Sequence, residues 1–339
     1  MKVAVTGGTG FTGGHTLKKL VEYGHEPVVL ARSAAKLAQV EKLHEIPPVK
    51  YILGDVSDHE AVVSLLDGCD AALHIAAVTG TQIRKIPSLK ATNIDGTRTV
   101  LEEAAKREMD PIIYVSSQST LHPPPEGIYM ANGPLSDDPV GVYAQSKVEG
   151  ERVARELQDK GHPIVIVWPS GIVGPQDVGI SVAASGIARL LRVPILPLPK
   201  TGGILMHDVR DLSEVLARCL TRNLGPRNFG VFGHFYNWEE TEELLSETTG
   251  RKIKSVKLPD NAFLGLGHLG DLFDLIHLPF PLDYSTAQFM TGLKPGDDLS
   301  TRQEFNLEWR PLEDSFFDTL RWLVEEGHLK SRKVPSVVQ

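Results

Sequence analysis

The chain has 339 residues, of which 41% are hydrophobic and 23% charged, the composition of an ordinary globular protein with a sizeable core. Its length allows one large domain or two smaller ones. The formal net charge of −8 argues against a protein held on nucleic acid or anionic lipid by bulk charge, since both require a positive surface.

The number of cysteines and the lengths of the apolar runs exclude further kinds of site and indicate the cellular compartment. Cys69 and Cys219 are too few and too far apart in sequence for a disulfide framework or a zinc site. No apolar run reaches the roughly 18 residues that a membrane-spanning helix needs, and the first residues form an apolar run rather than a secretory signal. We therefore expect a cytoplasmic protein without an integral membrane segment.

The first half of the chain alternates short apolar runs with longer helical patterns, which is typical of a parallel sheet covered by helices on both faces. The apolar runs predict strands over 3–6, 28–30, 50–53, 71–75, 112–115 and 164–167. The intervening patterns predict helices near 13–24, 58–67, 88–108 and 141–161. This order predicts an α/β fold with right-handed crossovers and a doubly wound sheet.

A glycine-rich loop joins the first predicted strand to the first predicted helix. Gly7, Gly10 and Gly13 follow the spacing G-x-x-G-x-x-G. In this context the first glycine permits a tight turn, the second lets a pyrophosphate approach the backbone, and the third lets the helix pack closely on the strand. The loop predicts dinucleotide binding, with a purely structural turn as the alternative.

The residue after the second predicted strand bears on which dinucleotide binds. An Asp or Glu at this strand end would bind the ribose 2′-hydroxyl of NAD, whereas this chain has Arg32 there. A guanidinium can bind a 2′-phosphate through paired hydrogen bonds, and Lys36, one helical turn later, adds charge. The sequence favours NADP over NAD, and the alternative is that Arg32 is a solvated surface residue.

Three polar residues in the predicted sheet and helices are candidates for catalysis. Tyr143 and Lys147 are four residues apart and share one face of a predicted helix. Ser117 ends a predicted strand, and ligands bind at the carboxyl ends of strands in such sheets. A Tyr with Lys at this spacing is weak evidence alone, but its position after a glycine loop and a strand-end serine strengthens it.

The second half of the chain is less regular. Residues 170–203 are rich in Gly, Pro and small apolar residues and predict little regular structure. The rest predicts a short strand over 206–212 running into a helix through residue 222, a strand over 229–232, a helix from Asn237 to near Gly250, an irregular segment over 252–310, and a terminal helix over 311–328.

We therefore expect a Rossmann doubly wound parallel sheet with a smaller, interleaved C-terminal lobe. Residues 1–169, with 204–237 returning to them, would form the NAD(P)-binding domain. Residues 170–203 and 238–330 would form the substrate-binding lobe, and 331–339 a tail.

These features resemble the extended short-chain dehydrogenases/reductases of the NAD(P)-dependent epimerase/dehydratase superfamily, most of all the dihydroflavonol-4-reductase-like branch. The resemblance covers nearly the full length. The segments that carry it are 6–13, 54–56, 74–77, 93–97, 114–117, 143–147, 168–175 and 208–211. They are specific for the superfamily and much less so for a substrate.

The resemblance implies a role for each matching residue. Tyr143 would exchange a proton with the substrate oxygen, and Lys147 would lower the pKa of this phenol and bond the nicotinamide ribose. Ser117 would hydrogen-bond the carbonyl or carbinol oxygen. The other residues implied in cofactor binding are Gly7, Thr9, Gly10, Phe11, Thr12, Gly13, Asp55, Val56, Ala76, Ala77, Pro169 and Ile172.

Two positions bear on the substrate. Sugar-nucleotide members of the family usually carry Arg-Pro-x-Asn where this chain has Trp-Pro-Ser-Gly over 168–171, so the Asn that helps to hold the sugar diphosphate is missing. Gln118 follows Ser117 where small residues are more usual, so we expect Gln118, together with Thr79, to contact the substrate.

Two apolar segments, 186–199 and 262–282, lie in the predicted second lobe. They are open to three interpretations: packing inside the protein, the wall of a hydrophobic substrate pocket, or a patch that contacts a membrane or partner. An apolar wall would suit a lipid, steroid, terpenoid or aromatic carbonyl better than a nucleotide sugar.

The sequence thus predicts an NADP(H)-dependent oxidoreductase that interconverts a carbonyl and an alcohol on a hydrophobic small molecule. The alternatives are an NAD-dependent sugar-nucleotide epimerase/dehydratase and a non-catalytic NADP-binding regulator. The resemblance also suggests a homodimer built through the stretches near 91–108 and 141–161. We interpret Asn93 and three histidines, His15, His74 and His207, as structural residues.

Overall fold

The computed structural model of the chain describes residues 1–80, 86–275, 280 and 282–337. The apolar runs of the first half form a sheet of seven strands, all paired in parallel. In spatial order the strands are β3 (Lys50–Leu53), β2 (Glu26–Ala31), β1 (Lys2–Thr6), β4 (Ala71–His74), β5 (Ile112–Val115), β7 (Ile164–Pro169) and β11 (Arg227–Val231). This is the predicted doubly wound sheet.

The order of these strands indicates where a ligand would bind. The direction of winding reverses between β1 and β4, and in open parallel sheets ligands bind outside the carboxyl ends of the strands at that point. The carboxyl ends of β1, β4 and β5 bring the glycine loop, residues 75–79 and Ser117 to one edge of the sheet.

Helices cover both faces, so strand residues alternate between two apolar cores. Along β1, Val3 and Val5 belong to one core and Ala4 to the other. The helices of this part are α1 (Phe11–Glu22), α2 (Ala34–His44), α3 (His59–Leu66), α4 (Ile86–Leu89), α5 (Thr97–Lys106) and α6 (Gly141–Asp159). A π-helical segment, Lys90–Gly96, joins α4 to α5 and interrupts the helix predicted over 88–108.

The remaining strands form small sheets. β8 (Gly171–Val173), β10 (Gly203–Asp208) and β12 (His234–Asn237) form one, β9 (Leu196–Pro199) pairs with β13 (Ser255–Leu258), and β6 (Tyr129–Met130) pairs with β14 (Gly296–Asp297). The remaining helices are α7 (Val182–Leu190), α8 (Val209–Arg218), α9 (Trp238–Thr249), α10 (Asp260–Leu275), α11 (Tyr284–Gly292), α12 (Leu299–Phe305) and α13 (Leu312–Glu325). None of the described helices is long and apolar enough to cross a membrane.

Several local predictions need correction. Residues 170–203 are not irregular, because they contain β8, α7 and β9. The Ser181 side chain caps α7, and burial of Ile187 and Ala188 in a third apolar core outweighs the unfavourable Gly and Pro content. The prediction of an irregular segment over 252–310 is also wrong, because its described part contains β13, α10, α11, β14 and α12. Helix α2 was not predicted, since its buried face rests mainly on Leu37 and Val40 and gives a weak periodic signal.

Residues 204–237, which the sequence assigns to the NAD(P)-binding domain, contribute elements to both the large sheet region and the small sheet. Within this range α8 packs on α1, and β11 is the last strand of the large sheet. β10 and β12 instead pair with each other and β10 with β8. Between two strands of the small sheet, the chain therefore contributes one helix and one strand to the large sheet region.

The two apolar segments singled out by the sequence each contain both buried and exposed apolar residues. In 186–199, Leu191, Leu196 and Leu198 are buried in the third core. In the described part of 262–282, Phe263 is buried, but Leu269 and Leu272 on α10 are 48% and 57% exposed. In the first segment Val193 and Ile195 are likewise 37% and 50% exposed, so packing explains each segment only in part.

The segment 208–211 joins the large sheet region to the terminal helix α13. Asp208 is fully buried and accepts hydrogen bonds from the Arg210 backbone, at 2.7 Å, and from its guanidinium, at 2.6 and 2.8 Å. Arg210 also pairs with Asp318 of α13 at 2.8 Å, and Arg310 pairs with Asp211. This motif therefore acts as a clamp between α8 and the C-terminal residues.

We expect Asp208→Asn to destabilise the fold by about 3 kcal/mol, the lower part of the range for breaking a buried pair, because Arg210 keeps Asp318. Burial opposes ionisation of Asp208, but Arg210 outweighs it and holds the pKa of this carboxyl below its usual value. Its contribution to stability should therefore be present above the pKa of an unfolded Asp and be lost as the pH falls below it.

Urea unfolding of Asp208→Asn at pH 7 and at decreasing pH measures this effect. Asp159→Asn, the same change on an exposed residue, is the matched control and should alter stability by no more than about 0.5 kcal/mol. Equal stability of the two variants at pH 7 would contradict the clamp.

Candidate active site

The glycine loop between β1 and α1 is shaped by close backbone contacts. Gly7 has a φ of +78°, which favours glycine, and a Cβ there would lie 2.6 Å from the Ala76 nitrogen. A Cβ on Gly13 would lie 2.1 Å from the Gly7 carbonyl oxygen. The loop and the start of α1 thus meet so closely that both positions require glycine.

The start of α1 has the properties of a phosphate-binding site. Gly10 is the exposed N-cap, no side chain caps the helix, and the first turn holds no acidic residue. Phe11 and Thr12, the first two helical residues, therefore present backbone N–H groups at the positive end of the helix dipole. Thr9 is half-buried in the same loop. This cradle fits the pyrophosphate of a dinucleotide.

Arg32 and Asp55 lie together at the carboxyl ends of β2 and β3. The Arg32 Nη1 is 3.7 Å from the Asp55 Oδ2, and the Arg32 side chain is 76% exposed. The other Asp55 oxygen accepts hydrogen bonds from the backbone and hydroxyl of Ser57, at 3.0 and 2.9 Å. Lys36 is half-buried in the first turn of α2, where its backbone N–H bonds the Ser33 cap. The strand end carries an accessible guanidinium and no carboxylate of its own.

The other predicted cofactor contacts line the same edge. Val56 is buried against Gly96, Ala76 is half-buried and Ala77 exposed after β4, Pro169 ends β7 and Ile172 lies in β8. Thr79, a predicted substrate contact, is exposed two residues after Ala77. The positions at or after the ends of β3, β4 and β7 thus lie at the edge that holds the glycine loop, whereas Ile172 lies in the small sheet just beyond β7.

Asn93 fixes the segment that carries Ala76 and Ala77. It lies in the π-helical segment, is fully buried, and bonds both the N–H and the carbonyl of Val78 at 2.8 and 2.9 Å. It also donates to the Ser146 hydroxyl at 2.9 Å. These bonds agree with the structural role expected for Asn93.

Ser117 is oriented as a hydrogen-bond donor. It follows β5 and caps a short 3₁₀ turn, Gln118–Leu121. Its Oγ accepts hydrogen bonds from the backbone and hydroxyl of Ser119, at 3.2 and 2.9 Å. Because its acceptor capacity is used locally, the hydroxyl proton is left to bond another oxygen.

Tyr143 lies in the first turn of α6, beside Ser117. Burial raises the pKa of its hydroxyl above the ordinary value, and a hydrogen bond with Ser117 opposes this rise. The phenol is therefore protonated at neutral pH and adjacent to a serine that donates to oxygen. A carbonyl oxygen placed between the two would be held and protonated.

Lys147 lies one turn further along α6 and is buried. Its Nζ donates to the Val115 carbonyl at 2.9 Å and lies 4.6 Å from the centre of the Tyr114 ring. The expectation that Lys147 lowers the pKa of Tyr143 is not met in this structure, since burial raises that pKa and the ammonium is directed at Val115. Burial lowers the pKa of Lys147 itself to about 8, with Glu151 opposing the change.

Gln118 is buried beside Ser117, with only 4% of its surface exposed, and its Oε1 accepts no hydrogen bond. An amide oxygen in this state costs about 1–3 kcal/mol. The long polar side chain expected next to Ser117 is therefore present, and its carbonyl oxygen is unsatisfied.

The three histidines that the sequence marked as structural all bond protein atoms. His15 bonds the Pro175 carbonyl at 2.9 Å, and burial lowers its pKa to about 4. His74 bonds Thr6 and Thr97, at 2.6 and 2.9 Å, and His207 bonds the Ser170 hydroxyl at 3.0 Å. Among the described residues no cluster of His, Cys, Asp or Glu could hold a metal ion.

Sequence reasoning missed one residue at this site, Glu151. It lies four residues after Lys147 on α6, so it occupies the same inward face, and it is completely buried. The signal was available, because an acidic residue one turn from a buried lysine on a helix facing the sheet is unusual.

Comparison with known proteins agrees with this geometry. The model of the family described as “NAD dependent epimerase/dehydratase family” matches residues 3–223, well over half of the chain. A Synechocystis protein named “Putative dihydroflavonol 4-reductase” is 26% identical and covers 97% of this chain and 96% of its own. A protein of Caulobacter vibrioides named “Ceramide reductase” is 30% identical over 79% of this chain and 77% of its own.

The fold is also shared with solved structures. A UDP-glucose 4-epimerase from Bifidobacterium longum, in complex with NAD+ and UDP, covers 96% of this chain and 98% of its own with a TM-score of 0.73. At 19% identity this likeness concerns the fold alone.

Proposed function

This chain belongs to the NAD-dependent epimerase/dehydratase family, within the extended short-chain dehydrogenases/reductases, and from that premise we propose that it reduces a carbonyl, or oxidises the corresponding alcohol, with NADP(H). Its membership makes it an NAD(P)-dependent oxidoreductase, since its relatives are named reductases and dehydratases. The observation that carries the finer proposal is the meeting of Ser117 and Tyr143, with Lys147 one turn away, beside the glycine loop.

The chemistry divides between the cofactor and the protein. When bound, the nicotinamide supplies a hydride to the carbonyl carbon or accepts one from the carbinol carbon. Ser117 donates a hydrogen bond to the substrate oxygen, and Tyr143 gives that oxygen its phenolic proton during reduction. The phenolate then recovers a proton from solvent, and the opposite transfers occur in oxidation.

Lys147 would bind the cofactor and would not itself exchange a proton with the substrate. One of its three N–H donors is used by Val115, which leaves two for ribose hydroxyls of the nicotinamide half. Its pKa of about 8 keeps Lys147 positively charged at neutral pH, so that it would act as a donor to these hydroxyls.

NADP is the preferred cofactor in this proposal. Arg32 directly follows β2, at the position where a carboxylate would bind NAD and repel the 2′-phosphate of NADP, and its guanidinium would instead attract that phosphate. We expect Arg32→Ala to weaken NADPH binding by about tenfold, equivalent to about 1.4 kcal/mol, and to leave NADH binding unchanged. Fluorescence titration of the pure protein with both cofactors measures this. Arg98→Ala, which removes an exposed arginine on α5, is the control.

The same titration tests the proposal as a whole. Tighter binding of NADPH than of NADH by the wild type would support it and justify a screen of carbonyl compounds. Preference for NADH, or NAD retained through purification, would favour a redox-neutral epimerase or dehydratase acting on a sugar nucleotide.

We propose a hydrophobic substrate. Helix α11 lies over the site, since a Cβ on Gly141, two residues before Tyr143, would approach Ser285 to 2.9 Å, and Phe289 packs on His122 with ring centres 4.8 Å apart. The apolar helix α10 packs on α11 in turn. The relative named as a ceramide reductase suggests a lipid-like carbonyl as the first class to screen.

We also propose that the protein is a cytoplasmic homodimer. Its two cysteines are free, which suits a reducing compartment. Helices α5 and α6, which would form the dimer interface, pack side by side. Sedimentation of the pure protein tests the assembly.

A further inference from the structure

Glu151 is a fully buried carboxylate with an unusually complete set of hydrogen bonds. Its Oε2 accepts bonds from the Ser116 hydroxyl at 2.5 Å, the Thr120 hydroxyl at 2.7 Å and the Trp168 indole at 2.9 Å. Its Oε1 accepts bonds from the Arg155 guanidinium at 2.7 and 2.9 Å. Burying a carboxylate is costly, so this arrangement requires a reason beyond packing.

The first set of bonds holds the turn that carries Ser117. Ser116 directly precedes Ser117, and Thr120 closes the turn three residues later. The Thr120 hydroxyl lies within hydrogen-bond distance of both the Glu151 carboxylate and the Ser117 carbonyl, at 2.7 and 2.8 Å, and the two acceptors share its single proton. Glu151 thus fixes both ends of this turn to α6, the helix that also carries Tyr143 and Lys147.

The charge of Glu151 acts on Lys147, one helical turn away. The titratable groups that face Lys147 are His74 from β4, Tyr114 from β5, and Tyr143 and Glu151 from α6. His74 is neutral because burial lowers its pKa to about 3, and burial raises the pKa of both tyrosines. Glu151 therefore supplies the negative charge in this group, and it opposes the loss of the Lys147 proton.

We propose, resting on the function proposed above, that Glu151 is a positioning residue that sets the spacing of Ser117 from Tyr143 and keeps Lys147 charged. The one amide oxygen of a neutral Gln could accept the same hydroxyl protons, but Gln would not supply the charge and its amide nitrogen could not accept from Arg155. The two effects can therefore be separated by substitution: Glu151→Gln removes the charge, and Thr120→Val removes one tie to the turn while the charge stays.

The first experiment follows the ionisation of Lys147 directly. The protein is labelled with ¹³C at lysine Cε, the Lys147 signal is identified by its loss in Lys147→Met, and its titration is followed by NMR. We expect a midpoint near 8 in the wild type and a midpoint lower by at least about half a pH unit in Glu151→Gln. Glu149→Gln, half-exposed on the same helix, should leave the midpoint unchanged.

The second experiment tests the turn. Thr120→Val should lower kcat by about tenfold, because a displaced Ser117 no longer holds the substrate oxygen in line with Tyr143. The Lys147 midpoint and NADPH binding should not change. Thr99→Val, which removes a hydroxyl that bonds the Asp95 carbonyl one turn earlier at 3.0 Å, is the control and should retain full kcat.

The role proposed for Glu151 can be overturned independently of the proposed carbonyl reduction. An unchanged Lys147 midpoint in folded Glu151→Gln, or full kcat in Thr120→Val, would overturn the corresponding half. If Glu151→Gln does not fold, Glu151→Asp replaces it: this variant withdraws the charge by one methylene and should also lower the midpoint, and an unchanged midpoint overturns the proposal. The titration needs no substrate, so its failure is distinct from an absence of carbonyl reduction.

Discussion

Tyr143→Phe is expected to lower kcat by about 10²- to 10⁴-fold, the range that a positioned general acid contributes. Phenylalanine keeps the ring and removes only the hydroxyl, whose pKa burial raises so that it holds its proton at neutral pH. The loss should therefore fall on the chemical step rather than on binding. Single-turnover reduction of a carbonyl substrate, together with NADPH titration, measures the two separately.

Tyr23→Phe is a suitable control for this variant. Tyr23 is 45% exposed at the end of α1, where its hydroxyl bonds Glu214, and its loss should leave kcat unchanged. Full activity in Tyr143→Phe would show that the proton comes from elsewhere and would end the mechanism proposed here. NADPH binding by the wild type with no turnover of any carbonyl would instead favour a regulator that senses the cofactor.

The large sheet could be predicted because its strands obey strong local rules. Strands β1, β4 and β5 are buried on both faces, so each is a continuous apolar run that no amphipathic helix would show. The predicted sites follow from the same regularity. Once parallel order is known, the residues after these strands must meet at one edge, as Gly7, Ala76 and Ser117 do.

The second lobe was harder to predict because its elements depend on tertiary burial. Helix α7 is stabilised by residues such as Ile187 that pack on distant parts of the chain, and β9 pairs with β13 from almost sixty residues away. Neither contact leaves a local periodic signal. Helix α9, in contrast, begins and ends as predicted, because Asn237 and Glu240 form a capping box and Gly250 terminates the helix locally.

The pKa values of the site residues could not be predicted from the sequence either, because they too depend on tertiary contacts. A pKa depends on the distance between groups and on their burial, and the spacing of Tyr143 and Lys147 fixes neither. It did not indicate that the Lys147 ammonium bonds the Val115 carbonyl, nor that Glu151 is buried beneath it. Residue type and spacing thus supplied the candidate residues, and the structure was needed to show which of them interact.

The glycine loop permits a prediction with a large effect on cofactor binding. Gly13→Ala would place a Cβ 2.1 Å from the Gly7 carbonyl oxygen and 2.7 Å from the Gly8 Cα, both backbone atoms that cannot move aside alone. The start of α1 must shift away from β1, which should cost about 1–3 kcal/mol of stability. Because this shift turns the N–H groups of the helix away from the pyrophosphate, NADPH binding should weaken by at least about tenfold.

Substitutions at two other glycines distinguish a loss of NADPH binding caused by altered packing of α1 from a loss caused by obstruction of the phosphate. A Cβ on Gly10 would meet only the Gly7 carbonyl oxygen, at 3.3 Å, so Gly10→Ala should fold normally and still weaken NADPH binding by obstructing the phosphate. A Cβ on Gly186 in α7 meets no atom within 4 Å, so Gly186→Ala should leave binding unchanged and add up to about 1 kcal/mol of stability. If Gly10→Ala and Gly13→Ala bind NADPH as the wild type does, the loop is a structural turn and the cofactor lies elsewhere. If only Gly13→Ala loses binding, and only in proportion to its loss of folded protein, the glycines serve the packing of α1 and not the phosphate.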